Sequence, residues 1–331
     1  MATHSFYAKK KYDQMNNYQK LKGLIAATFT PMYSNADVNY SAIETYAKHI
    51  ADSGMSGVFV CGTTGEFTSL TTEERKQIVE HWVNAAQQRF KVIAHVGSDN
   101  QHEAMELACH AAEVGAWGVG AIAPGFFKPA SVRGLIDFFK PIAAAAPELP
   151  FYYYNMPAMT GVSLSVSQFL SEGKKEIPNL AGVKFTHNNM MEMGECIHLE
   201  NGTFEVLHGY DEMLICGLAL GAVAGVGSTY NYLPSVYLNI MEAVEEGDLV
   251  SARIFQMQSI ELVKVIIKYG GGVRGGKAIM NLIGIECGEC RSPITPFRKE
   301  EYDSLRKDLE EIVFWENRER DTSCKPYPFP Q

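Results

Sequence analysis

The chain has no run of about 18 unbroken apolar residues, the length a membrane-spanning helix requires. Its first residues lack the apolar core of a secretion signal. Cysteine is sparse, with seven in 331 residues. An odd count scattered over a long chain does not resemble the disulfide framework of a small secreted domain. Positive charge is in deficit, 29 Lys+Arg against 38 Asp+Glu, for a net charge of −9. The one basic run, Lys9-Lys10-Lys11, lies in a polar tail and reads as solvated, so no phosphate-binding surface is expected. No His, Cys, Asp and Glu cluster has metal-ligand spacing. Together these absences predict a cytoplasmic globular protein with no metal, no nucleic-acid partner and no membrane partner. The 46% apolar and 20% charged residues suit a chain with a substantial core.

Short apolar runs recur at intervals of roughly 30 residues, each followed by a longer helical stretch, as a βα repeat requires. The runs are Gly23–Thr30, Gly57–Cys61, Val92–Val96, Gly118–Ala123, Phe151–Asn155, Gly182–Phe185, Phe204–His208 and Gly221–Val226. Eight such units predict an α/β fold of the (β/α)8 TIM-barrel class. An open doubly wound sheet has the same alternation, but no G-x-G-x-x-G follows the first run. Ser41 with Glu44, and Thr71 with Glu74, have capping-box spacing at helix starts. From Pro234 to about Asn317 the pattern is helical throughout, which predicts a C-terminal helical extension. The expected organisation is a polar tail over 1–21, a barrel over 22–232, a helical region over 233–320 and an irregular tail over 321–331.

In a barrel, chemistry gathers where strands end at their C-terminal side. Lys184 ends the run Leu180-Ala181-Gly182-Val183. An ammonium near a barrel core is costly, and a lysine neutralised by desolvation can attack a carbonyl to form a Schiff base. The plainer reading is a lysine that reaches solvent or pairs with a carboxylate. Tyr154 ends the preceding strand run, so its phenol should neighbour Lys184 and could move a proton. With a period of two, Tyr152 shares its face and Tyr153 points away. Gly62-Thr63-Thr64-Gly65 sits at a strand–helix junction, where hydroxyls and free N–H groups can hold a carboxylate or simply make a capped turn. Asp211 and Glu212 could bind sugar hydroxyls, hold a metal or cap a helix.

Two motifs read as decoys. Gly271-Gly272-Val273-Arg274-Gly275-Gly276-Lys277 matches the start of a phosphate-binding loop. It is followed by Ala278, without the hydroxyl that Mg²⁺ needs, and preceded by a helical pattern rather than a strand. Cys287-Gly288-Glu289-Cys290 has no second pair to complete a zinc site.

Six strings taken in order resemble a known family. They are Gly62-Thr63-Thr64-Gly65-Glu66, Ile93-Ala94-His95-Val96-Gly97, Tyr154-Asn155-Met156-Pro157-Ala158-Met159-Thr160-Gly161, Gly182-Val183-Lys184, Gly209-Tyr210-Asp211-Glu212 and Gly227-Ser228-Thr229-Tyr230-Asn231. Over roughly Lys22 to Phe297 the chain resembles the pyruvate-dependent class I aldolases that include N-acetylneuraminate lyases and dihydrodipicolinate synthases, the lyases above all, and its segment Ala123–Pro157 looks especially like the animal-type lyases. The resemblance implies a homotetramer that needs no cofactor and cleaves N-acetylneuraminate reversibly to N-acetylmannosamine and pyruvate. It implies Lys184 as the Schiff-base residue and Tyr154 as the proton-transfer phenol. It places Thr63 and Thr64 on the substrate carboxylate, Thr186 near the reacting hydroxyl, and Gly209, Asp211, Glu212 and Ser228 along the sugar. Dihydrodipicolinate synthases carry an arginine where this chain has Met159, which cannot pair with a carboxylate. Many bacterial members have a tyrosine near the end of the fourth strand that reaches across a subunit interface; here Phe126 and Phe127 offer no hydroxyl. The alternatives are a related aldolase acting on another 2-keto-3-deoxy sugar acid, and a non-catalytic sugar-acid-binding regulator.

Overall fold

Each of the eight apolar runs forms a β-strand: β1 Gly23–Ala27, β2 Gly57–Val60, β3 Lys91–His95, β4 Gly118–Ile122, β5 Phe151–Asn155, β6 Leu180–Phe185, β7 Glu205–His208 and β8 Ala224–Gly227. This computed structural model describes residues 20–319; the Lys9–Lys11 run and the tail 321–331 lie outside the described residues. Every strand pairs in parallel with the next, and β8 returns to β1 to close the barrel.

Parallel neighbours need a crossover, and helices supply it. These are α1 Ala42–Asp52, α2 Thr72–Ala86, α3 Gln101–Glu113, α4 Val132–Ala144, α5 Pro157–Thr160, α6 Val166–Gly173, α7 Met190–His198 and α8 Leu214–Ala219. After β8 come α9 Pro234–Glu245, α10 Leu249–Lys268, α11 Gly271–Leu282, α12 Lys299–Glu311 and α13 Phe314–Glu319, which form the helical extension. The sequence Gly271–Lys277 is thus helical, not a loop between strand and helix. Among the described residues, no helix is long and apolar enough to cross a membrane.

Strand alternation divides the core into two. Ile25, Phe59, Ile93, Tyr152, Tyr154, Leu207 and Val226 fill the barrel interior. Tyr153, Val183 and Phe185 face outward into the larger core beneath the helices. At the barrel floor Leu21 is buried, and its N–H donates to Glu205 Oε2 at 2.7 Å.

Three local expectations need correction. β1 stops at Ala27, so Thr28 and Thr30 lie in the loop beyond it, where Thr30 Oγ1 donates to Gly65 O at 2.7 Å. β8 begins at Ala224 because Gly221 (φ +104°) is still turning the chain out of α8. Ser41 makes no capping bond; it already has helical dihedrals, and Asn39 Oδ1 accepts from Ala42 N instead. The Thr71–Glu74 capping box does form at the start of α2.

Candidate active site

All nine residues singled out for chemistry meet in one cavity of about 320 Å³ at the C-terminal mouth of the barrel: Lys184, Tyr154, Thr63, Thr64, Thr186, Gly209, Asp211, Glu212 and Ser228. They come from the ends of β2, β5, β6, β7 and β8, or from the turns just after them. A larger neighbouring cavity, about 400 Å³, shares Thr63 but runs away under Arg75 and Met159 and does not reach Lys184.

Lys184 sits near the end of β6 with its side chain inside the barrel, only 5% exposed. It is in register with Tyr154 on β5, as their consecutive strands suggested. Its Nζ lies 3.9 Å from the centre of the Tyr154 ring and 4.6 Å from that of Phe59. Among the described residues it makes no hydrogen bond and no ion pair with a carboxylate. The amine is therefore neither tied down nor led out to solvent, which sets aside the plainer reading of this lysine.

Tyr154 is buried, and its Oη lies 3.1 Å from Thr63 Oγ1 and donates to Met156 Sδ at 2.9 Å. The strand thus aims the phenol at the turn carrying Thr63 and Thr64. Neither of those backbone N–H groups is engaged by a described residue, so the turn presents N–H and hydroxyl donors together. Such a cluster suits a carboxylate. Thr186 Oγ1 is buried with no partner among the described residues. A lone buried hydroxyl in a cavity is poised to bond whatever enters, since leaving it unmade is costly.

The acidic side of the mouth is more constrained than the sequence suggested. Asp211 is buried, and its Oδ2 accepts from Thr229 N at 2.9 Å and Thr229 Oγ1 at 2.6 Å. Burial pushes its carboxyl up to about 6, against the pull of those two bonds. Gly227 leaves room for it; any Cβ there would strike the carboxylate. Glu212 is half-buried beside it at the cavity wall.

Tyr210, Val263 and Val273 are among the lining residues that sequence reading does not pick out. Tyr210 lies between Gly209 and Asp211, and its residue type alone does not mark it as a sugar contact. Val263 and Val273 come from α10 and α11, whose apolar faces read simply as packing. Conversely, His95 ends β3 but stays outside the cavity. Its Nδ1–H donates to Cys61 O at 2.8 Å, and burial, with Arg75 nearby, holds its pKa well below the usual range. It packs edge-on against Tyr154 as a neutral ring. Met159 lines the neighbouring cavity and Phe126 and Phe127 are exposed on the loop after β4, so none of the three touches Lys184's cavity within this chain. Cys287 and Cys290 are buried free thiols pushed up to about 12 by burial. No described cluster of His, Cys, Asp and Glu could hold a metal ion.

A family model described as the dihydrodipicolinate synthetase family matches residues 20–312. The N-acetylneuraminate lyase of Mus musculus is 44% identical over 280 residues, spanning 83% of this chain and 88% of that one. That of Homo sapiens is 41% identical over 300 residues, spanning 89% and 94%. Among solved structures, Proteus mirabilis N-acetylneuraminate lyase superposes with a TM-score of 0.87 at 38% identity, covering 89% of this chain and all of that one.

Proposed function

The chain belongs to the dihydrodipicolinate synthetase family, and on that premise we propose that it is a Schiff-base lyase that cleaves N-acetylneuraminate reversibly to N-acetylmannosamine and pyruvate. One observation carries the mechanism: a buried lysine with no carboxylate partner among the described residues, its Nζ 3.9 Å from the ring centre of a tyrosine that itself touches a threonine-lined turn. The Lys184 amine attacks C2 of the open-chain keto acid. Loss of water leaves a protonated imine. Removal of the C4 hydroxyl proton then breaks the C3–C4 bond, and the electron pair moves into an enamine as the sugar aldehyde leaves. Protonation at C3 and hydrolysis of the imine release pyruvate and restore the amine. Positioned proton transfer of this kind contributes about 10²–10⁴-fold.

Tyr154 is the proton carrier in this reading. Thr63 and Thr64 hold the substrate carboxylate, which fixes C2 over Lys184. The unpaired Thr186 hydroxyl bonds near C4, and Asp211, Glu212, Gly209 and Ser228 receive the polyol. Met159 in place of an arginine favours a neutral sugar aldehyde over a partner that carries its own carboxylate. Placement in the cytoplasm and assembly as a homotetramer complete the proposal. Phe126 and Phe127, 79% and 85% exposed, offer an apolar face to a second copy.

Borohydride added with pyruvate is expected to leave a reduced adduct on Lys184, located by peptide mass. Lys184→Ala is expected to abolish both that adduct and pyruvate release from N-acetylneuraminate. Near-normal turnover by Lys184→Ala would refute the mechanism.

A further inference from the structure

Lys277 takes no part in the mechanism above and does not line the cavity, yet it is fully buried and tied to the turn that carries Thr63 and Thr64. Its Nζ donates to Glu66 Oε1 at 2.8 Å and to Glu289 O at 2.8 Å. The Lys277 and Glu66 side chains are each 1% exposed. Glu66 Oε2 accepts from Arg291 N at 2.9 Å. Arg291 in turn reaches Ser69 O at 2.8 Å and pairs with Glu74 at the head of α2. The helical extension thus grips this turn with one buried cation and one strap.

The turn needs such a grip. Cys61 (φ +55°) and Glu66 (φ +58°) flank it, and both occupy the left-handed region that residues with a Cβ avoid. A strained conformation persists only where its surroundings over-determine it. Glu66 is the point of attachment, and its carboxylate has two of its bonds made by residues more than 200 positions away in the chain.

We infer that Lys277 is a positioning residue for the substrate carboxylate. Through Glu66 it fixes the Gly62–Glu66 turn so that the Thr63 and Thr64 donors stand over Lys184. The inference rests on the lyase reading above and adds a distant residue to it. Displacing such donors by about an ångström is costly to a reaction that depends on alignment.

The test compares two carbonyl compounds, both trapped on Lys184 by borohydride. Pyruvate has the carboxylate; hydroxyacetone lacks it. In Lys277→Met the half-saturating pyruvate concentration for trapping is expected to rise about tenfold or more, whereas the rate with hydroxyacetone stays within about twofold of the parent protein. A merely structural lysine would depress both substrates together, and that outcome, or an unchanged half-saturation for pyruvate, overturns the inference. Should Lys277→Met fail to fold, the Glu66→Gln/Lys277→Met double variant removes both charges and relieves the stranded carboxylate. It is then expected to fold and to show the same selective loss; parent-like pyruvate trapping by it overturns the inference equally. Failure of the parent protein to trap pyruvate on Lys184 is a different result, since it removes the lyase reading itself.

Discussion

Asp211 shows how a buried carboxylate is held at the expense of the fold. Its carboxyl is raised to about 6 by burial, and the two bonds from Thr229 only partly counter that. Below about pH 4 the group is neutral in both the folded and unfolded chain, so it contributes no penalty. Between about 4 and 6 the unfolded chain ionises first, and above 6 the folded protein must keep a buried anion. Stability therefore falls as pH rises through that window, by about 3 kcal/mol at most. Asp211→Asn retains an acceptor for Thr229 and sheds the charge. It is expected to melt above the parent at pH 7.5 and to converge with it near pH 4, while turnover of N-acetylneuraminate drops. Equal melting shifts at both pH values would contradict this account. Sequence marked Asp211 as an acid after a strand, but Thr229, 18 residues onward, was not recognisable as its donor.

Strands and helix starts differ in how openly the chain displays them. All eight strands were readable because both faces of a barrel strand are buried, which writes each as a near-continuous apolar run. Lys184 stood out because it interrupts such a run. Strand ends were less legible, since Thr28 and Thr30 continue the β-branched pattern past Ala27, the last residue of β1 in register with β2. Capping depends on a dihedral that letters do not specify. Thr71 is extended (φ −73°, ψ 160°) and caps α2; Ser41 is helical (φ −66°, ψ −25°) and does not cap α1. Thr71→Ala and Asn39→Ala are each expected to lower stability by about 1 kcal/mol, read from urea unfolding midpoints. Ser41→Ala loses only the hydroxyl bond to Asn39 and should cost a few tenths. A Ser41→Ala loss as large as that of Asn39→Ala would restore the discarded capping box.

Across the whole molecule, the 30-residue repeat foretold the barrel, and the barrel in turn gathered residues from distant turns onto one face. What the repeat does not encode is how far-separated parts are locked together. Lys277 ends a string that resembles a phosphate-binding loop, and nothing near it in sequence points to its partner, Glu66, 211 positions earlier. The seam where the barrel closes is equally hidden. Asn231, fully buried just after β8, donates to Ala27 O on β1 at 2.8 Å and to Ser228 O at 2.7 Å, and its Oδ1 accepts from Tyr46 Oη on α1 at 2.5 Å. One amide therefore joins the first strand, the first helix and the turn that presents Ser228 to the cavity. Asn231→Ala takes the acceptor from the buried Tyr46 hydroxyl and a donor from Ala27 O, while Ser228 O keeps its bond from the Asn231 N–H, and is expected to cost about 2–3 kcal/mol. Tyr46→Phe removes the donor to Asn231 and the acceptor for Phe29 N, and should cost about 1–2 kcal/mol. Because the two act through one bond, the double variant should cost less than the two losses combined, by about 1 kcal/mol. Strict additivity in urea unfolding would show that the Tyr46–Asn231 contact carries no energy of its own.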